Sequence, residues 1–276
     1  MSPSDIGKRH TVDSRSAGHP SRRPSRNTQP VADLVRLHVV PSQADSPLDV
    51  ERVLRNRSLK TAFQPVCNLL TREIIGYEAL SRFPRPAHAT PRQWFDEASR
   101  LGRLQDLELL AAATALAQVN LLPEHVFLAV NVSPATAGSS AFEELAATVP
   151  PERLVLDIAE NATVDNYHLF TEVIDRLRSL GVRIALDDAG AAEVSLQHLL
   201  GVRPDIVKID TTVIHGIAED ELRQAVACAY ASLAKRAGAV SLAEGIETEA
   251  ELTMLLSLEV ETGQGYLFGR PAFLEK

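Results

Sequence analysis

The chain has 276 residues and a mass of 30.0 kDa, with 45% apolar and 23% charged residues, which fits one large α/β barrel or two small domains. A net charge of −8 excludes a general DNA or anionic-membrane binder. Only two cysteines occur, Cys67 and Cys228; they exclude a disulfide framework and a cysteine-based zinc site, and they fit a reducing, cytoplasmic location.

Residues 1–50 carry seven Lys or Arg against five Asp or Glu, so the acidic excess lies in the rest of the chain. Residues 1–30 are rich in Ser, Pro and Arg, and their aliphatic side chains are few: Met1, Ile6, Val12 and Ala17. Such a segment cannot offset its ordering entropy by burial. Residues 1–45 are therefore expected to be a disordered or weakly ordered tail, with docking to a protein partner as the alternative. Residues 46–276 are expected to form one barrel domain. Arg22 and Arg23 stand as in a twin-arginine signal, but no apolar segment follows, so export is not expected. Val31 to Val40 is semi-apolar and packs either on the body or on an absent partner. The longest largely apolar stretch, Leu109 to Ala117, is too short to span a bilayer.

From about residue 60 strand-like and helix-like runs alternate. The strand-like runs are Ala62–Val66, Ile74–Ala79, Val126–Val132, Leu154–Ile158, Val182–Leu186, Asp205–Ile209, Val240–Ala243 and Gly265–Phe268. Several are nearly continuous in Val, Ile, Leu and Ala, as strands buried on both faces require. The helix-like runs are Pro91–Gly102, Leu104–Val119, Ala141–Thr148, Asn166–Leu180, Glu221–Ala237 and Thr248–Leu258. Gly181 and Gly238 stand where helix ends favour glycine, and Thr248 with Glu251 reads as a capping box. From Val126 on, strands recur at about the length of a βα unit, which argues for a parallel α/β fold closed into a barrel.

Run after run ends in an acid, an amide or a lysine. Glu78 closes the second and Asn131 lies in the third. Asp157 and Glu160 end the fourth, and Asp187 and Asp188 follow the fifth. Lys208 and Asp210 end the sixth, Glu244 follows the seventh, and Gln264 precedes the last. One such acid is ordinarily a helix cap or a solvated loop residue. Repeated in the same phase, they mark the face on which barrel active sites are built. Five carboxylates, Glu78, Asp157, Asp187, Asp188 and Glu244, with an amide oxygen make a hard oxygen cage suited to Mg²⁺ or Mn²⁺. Crowded like charges repel unless cations sit among them. Adjacent Asp187 and Asp188 suggest a ligand shared by two metals, an arrangement that serves in-line displacement at a phosphate ester.

The run Tyr77-Glu78-Ala79-Leu80-Ser81-Arg82-Phe83 resembles the signature of the EAL domain family, bacterial cyclic-di-GMP phosphodiesterases. Its companions follow in order. They are Phe63-Gln64-Pro65-Val66, Val130-Asn131-Val132-Ser133, Leu186-Asp187-Asp188, Val207-Lys208-Ile209-Asp210, Glu244-Gly245-Ile246-Glu247 and Gln264-Gly265-Tyr266-Leu267-Phe268-Gly269-Arg270-Pro271. The resemblance covers roughly residues 51–276. It implies a TIM-like (βα)8 barrel with one antiparallel strand. It implies that Glu78, Asn131, Asp157 and Asp187 bind one metal, that Asp187, Asp188 and Glu244 serve a second, and that Gln264 supports metal-bound waters. Glu78, Lys208 and Glu244 would be the catalytic groups, with Lys208 positioning or deprotonating the attacking water. Gln64, Leu80, Arg82, Asp210 and Glu247 would contact the substrate, and Glu160 would steady the loop after the fifth strand. The implied reaction is hydrolysis of cyclic di-GMP to linear pGpG; a homodimer is left open.

Two stretches depart from that family's pattern. Where the family has Glu-(Leu/Ile)-Thr-Glu, this chain reads Asp157-Ile158-Ala159-Glu160, and Asp is one methylene shorter. Mg²⁺ wants near-octahedral ligands at about 2.0–2.1 Å, so the shorter reach bears on the site. Where the family resembles Asp-Phe-Gly-Thr-Gly-Tyr-Ser-Ser, this chain reads Asp188-Ala189-Gly190-Ala191-Ala192-Glu193-Val194-Ser195. An apolar anchor and a glycine are lost there and a charge is gained. The favoured reading is a phosphodiesterase, slow if these changes tell. The other readings are a cyclic-di-GMP receptor without turnover and a protein-interaction module. Trp94, Cys67 and Cys228 are expected to be packing residues.

Overall fold

The computed structural model describes residues 48–84, 89–159, 167–189 and 201–274. The tail expected at 1–45, Glu160 and the divergent residues Gly190 to Ser195 lie outside the described residues.

The expected barrel is present. The strands are β1 (Lys60–Asn68), β2 (Ile74–Arg82), β3 (Phe127–Asn131), β4 (Leu154–Ala159), β5 (Arg183–Ala189), β6 (Ile206–Ile209), β7 (Val240–Ala243) and β8 (Thr262–Gly263). They close in sequence order, and β1 runs antiparallel to both β2 and β8 while the remaining neighbours are parallel. The near-continuous burial of β1, β3 and β6 follows from their position between the barrel interior and the outer helices.

The eighth strand lies earlier than the expected Gly265–Phe268. At Gly265 the chain turns: the amides of Phe268 and Gly269 both donate to its carbonyl, and a Cβ there would lie 2.1 Å from the Ile246 carbonyl oxygen. That approach requires glycine. The apolar character of Leu267 and Phe268 serves packing against the core around Ile246 and Leu255 instead of strand pairing.

The helices expected from periodicity are α2 (Pro91–Arg100), α3 (Leu104–Leu116), α5 (Ser140–Ala146), α6 (Tyr167–Ser179), α8 (Glu221–Ala237) and α9 (Glu249–Ser257). Among the described residues, the short helices α1 (Val50–Asn56), α4 (Pro134–Ala137) and α7 (Thr211–Ile214) were not expected. α1 is capped by Asp49, whose carboxylate accepts from the Arg52 amide, and it buries Val50 and Val53 beside Trp94 and Leu107. The Thr248–Glu251 capping box forms as expected, and Gly238 closes α8 at φ 73°.

Trp94 is 1% exposed and stacks on Phe83 with ring centroids 4.9 Å apart. Cys67 is buried, and burial pushes its thiol pKa up. Both are packing residues. Cys228 is not: it is exposed on α8, whose buried face is drawn from Ala227, Ala231 and Ala234.

The barrel interior explains the site. Val66, Phe127, Ala129, Val155, Ala185, Ile206 and Leu242 form one buried cluster. The Phe127 ring fills the space over Gly76, where a Cβ would meet it at 2.4 Å. Side chains alternate along a strand, so the next inward positions are two residues on. They are Glu78 on β2, Asn131 on β3, Asp157 on β4, Lys208 on β6 and Glu244 just past β7. β1 runs the other way, so its matching residue is Gln64, two before Val66, paired with Glu78 in the ladder.

Candidate active site

Lys208 is the centre of the constellation. It is 3% exposed, and its Nζ lies 2.6 Å from Asp157 Oδ2, 2.8 Å from Glu244 Oε1 and 3.7 Å from Glu78 Oε1. Asp157 and Glu78 are buried as well. Burial of this many charges is tolerated only because the ammonium faces the carboxylates and amides fill the remaining sites. Gln264 Nε2 donates to Glu78 Oε2 at 2.8 Å and to Glu244 Oε1 at 3.0 Å, and Asn131 Nδ2 donates to Glu78 Oε1 at 3.2 Å. Six of the expected site residues thus meet in one hydrogen-bonded layer. Gln64 closes its β1 side, donating to the Gly269 carbonyl at 3.3 Å.

The backbone carries these groups rigidly. Asn131 and Asp157 are ladder partners, and Asp187 stands opposite Ala159 on β5. The side chains of Asp187 and Asp188 lie outside the described residues. At Gly245 φ is 73°, and a Cβ would press on Thr211 at 2.6 Å, so glycine is needed to turn the chain directly after Glu244.

The expected substrate residues divide. Leu80 and Arg82 line a cavity of about 450 Å³ beside Glu78, with Arg92, Phe95 and Asn131. Arg82 donates to the Ser81 carbonyl at 3.0 Å. Asp210 stands outside the layer and caps α7, accepting from the Thr212 amide at 2.7 Å. Glu247 is exposed at the edge.

Two acids that support the site were not among the expected site residues. Glu251, anticipated only as a capping residue, accepts the amides of Glu247 at 2.9 Å, Thr248 at 3.0 Å and Gly216 at 3.3 Å. Burial opposes its ionisation, but these hydrogen bonds outweigh it and hold its carboxyl below the ordinary range. A depressed acid stabilises the fold above its unfolded value and loses that contribution as pH falls through the folded one. The stability gap between wild type and Glu251→Gln should therefore be full at neutral pH and shrink below about pH 4.3. Urea unfolding across pH 3 to 7 reads this, and a constant gap would refute it. The other acid, Glu108, interrupts a Leu- and Ala-rich helical run, which was a signal that something polar lies beside it.

Among the described residues no three His, Cys, Asp or Glu form a ready metal cage, and Lys208 stands among the acids. The donor chemistry nevertheless fits a hard divalent cation. Three carboxylates face a single ammonium, an excess of negative charge, and every candidate ligand atom is oxygen. Among the described residues no helix is long and apolar enough to cross a membrane.

Comparison with known proteins places the chain. The EAL domain family model matches residues 48–271. The bifunctional diguanylate cyclase/cyclic di-GMP phosphodiesterase MucR of Pseudomonas aeruginosa is 28% identical over 235 residues, covering 81% of this chain and 34% of that protein. The chain spans about a third of the length of the curated relatives it matches. Among solved structures, the PaMucR phosphodiesterase in complex with c-di-GMP superposes with a TM-score of 0.73 at 27% identity, covering 81% of this chain and 96% of that one. The Klebsiella pneumoniae BlrP1 manganese and cyclic-di-GMP complex gives 0.69 at 27% identity, covering 78% and 56%.

Proposed function

The chain belongs to the EAL domain family, and on that premise we propose that it hydrolyses one phosphodiester bond of cyclic di-GMP, giving linear pGpG, with Mg²⁺ or Mn²⁺ bound. The observation that carries this reading is the layer at one end of the barrel: Lys208 among Asp157, Glu244 and Glu78, beside a cavity edged by Arg82. Glu78, Asn131, Asp157 and Glu244 would hold the cations, together with Asp187 and Asp188 from the end of β5. Bound there, they would acidify water and offset charge on the phosphate.

The protein's own groups do the rest. Lys208 keeps Asp157 and Glu244 in place and orients the attacking water. Gln264 holds Glu78 and Glu244 in register. Arg82 offers a guanidinium to the phosphate, and the apolar wall of Leu80 and Phe95 takes a base; a cavity of this size suits a nucleotide moiety. The water oxygen bonds to phosphorus as the bond to one ribose 3′ oxygen breaks; the water's proton passes to a carboxylate of the layer, and the departing 3′ oxygen takes a proton back from the layer or from solvent to become a hydroxyl. Incubation of the purified protein with cyclic di-GMP and Mn²⁺, followed by chromatography, should show pGpG accumulating. Absence of product at any metal concentration would defeat the proposal.

One observation favours a second reading, binding without turnover. The Asp157 carboxylate is drawn to Lys208 at 2.6 Å, and it is one methylene shorter than the family's Glu. If reach limits the rate, Asp157→Glu should raise kcat by up to about a hundredfold, since a misplacement near 1 Å costs that much. Single-turnover kinetics with saturating Mn²⁺ tests this; an unchanged rate rules reach out.

A further inference from the structure

We propose, building on the function just stated, that Glu108 is a positioning residue for Asn131 and so for the cation site. Glu108 lies on α3, outside the barrel, and is 8% exposed. A buried carboxylate must find donors. Glu108 Oε1 accepts the Ser133 amide at 3.2 Å, and Oε2 accepts the Ser133 hydroxyl at 2.7 Å and the Thr136 hydroxyl. Two of these donors belong to Ser133, in the turn that joins β3 to α4, and the third to Thr136 in the single turn of α4.

Capping alone does not account for this. The Ser133 hydroxyl already caps α4 by accepting the Thr136 amide at 3.4 Å. An acid reaching in from another helix adds a tether between α3 and the turn. Ser133 lies two residues after Asn131. On the other side the Val132 amide donates to the Asp157 carbonyl at 3.1 Å. Asn131 is thus held between β4, through Val132, and α3, through Ser133. Its own side chain is exposed and meets Glu78 Oε1 at 3.2 Å. An exposed amide gains little from packing, so its place is set by the backbone that carries it. Glu108 fixes that backbone, and with it the point at which Asn131 meets Glu78 and a bound cation.

Calorimetric titration of Mn²⁺ into the full chain, without nucleotide, tests the role. Glu108→Ala should weaken Mn²⁺ binding by about ten- to a hundredfold, the usual effect of removing an outer partner of a metal ligand. Ser133→Ala should weaken it in the same direction. The double variant should be no weaker than Glu108→Ala alone, because both act through one contact. Glu108→Gln, which keeps the shape and one acceptor oxygen, should retain much of the affinity. Circular dichroism reports folding; if Glu108→Ala does not fold, Ser133→Ala and Glu108→Gln carry the comparison. Folded Glu108 and Ser133 variants with a lowered Tm but Mn²⁺ affinity within about twofold of wild type would overturn the positioning role and leave the proposed function standing. A wild type that neither binds Mn²⁺ nor hydrolyses cyclic di-GMP would overturn both.

Discussion

Lys208→Met should lose hydrolysis and destabilise the metal-free protein by about 3–5 kcal/mol, the usual cost of removing one partner from a buried ion pair. The methionine fills much the same volume, so packing is nearly conserved. What disappears is the ammonium within 2.6 Å of Asp157 and 2.8 Å of Glu244, and with it the compensation for carboxylates that water cannot reach freely. On the proposed function Mn²⁺ would bind the folded state through the same acids, so adding it should restore a larger share of stability to the variant than it gives the wild type. Urea unfolding with and without Mn²⁺ measures both quantities. A loss below about 1 kcal/mol would mean that Lys208 contributes no more than a surface pair.

Glu78→Gln should lower kcat by about a hundred- to a thousandfold while the fold persists, an effect of the order seen when one preorganised electrostatic contact is removed. Glu78 accepts Asn131 on one oxygen and Gln264 on the other, so its charge faces the reaction from between two amides. A glutamine cannot accept on both sides: one amide nitrogen would then face another donor. On the proposed function the change would cost a cation ligand, and it disturbs Gln264, which also steadies Glu244. Glu78→Ala removes the ligand outright and should abolish product. Product formation by either variant near the wild-type rate would show that Glu78 has no part in the chemistry. A matched thermal melt separates lost chemistry from lost fold.

Much of this was legible before the structure. Strands Val126–Val132 and Leu154–Ile158 announced themselves because they are buried on nearly every side, which favours nearly continuous apolar runs. The site residues shared a phase because alternation along each strand sends every second side chain inward. The reading failed where local pattern and tertiary use part. Tyr266, Leu267 and Phe268 look like strand residues, yet the contact of Gly265 with Ile246 bends the chain there. Cys228 reads as a small core residue, but alanines take the buried face of α8. Asp210, expected beside the substrate, also serves as the cap of α7, a use that the strand-end pattern did not display.

The sequence by itself determined the βα order, the barrel and the ring of acids, amides and lysine at the strand ends. Those depend on periodicity and spacing, which a linear chain displays. Only the tertiary structure decided the pairings. Lys208 and Asp157 are 51 residues apart and on strands that are not neighbours in the sheet, and Glu108 reaches Ser133 from a different helix. Which buried charge finds which partner is set by barrel closure and strand stagger, and these are properties of the packed whole.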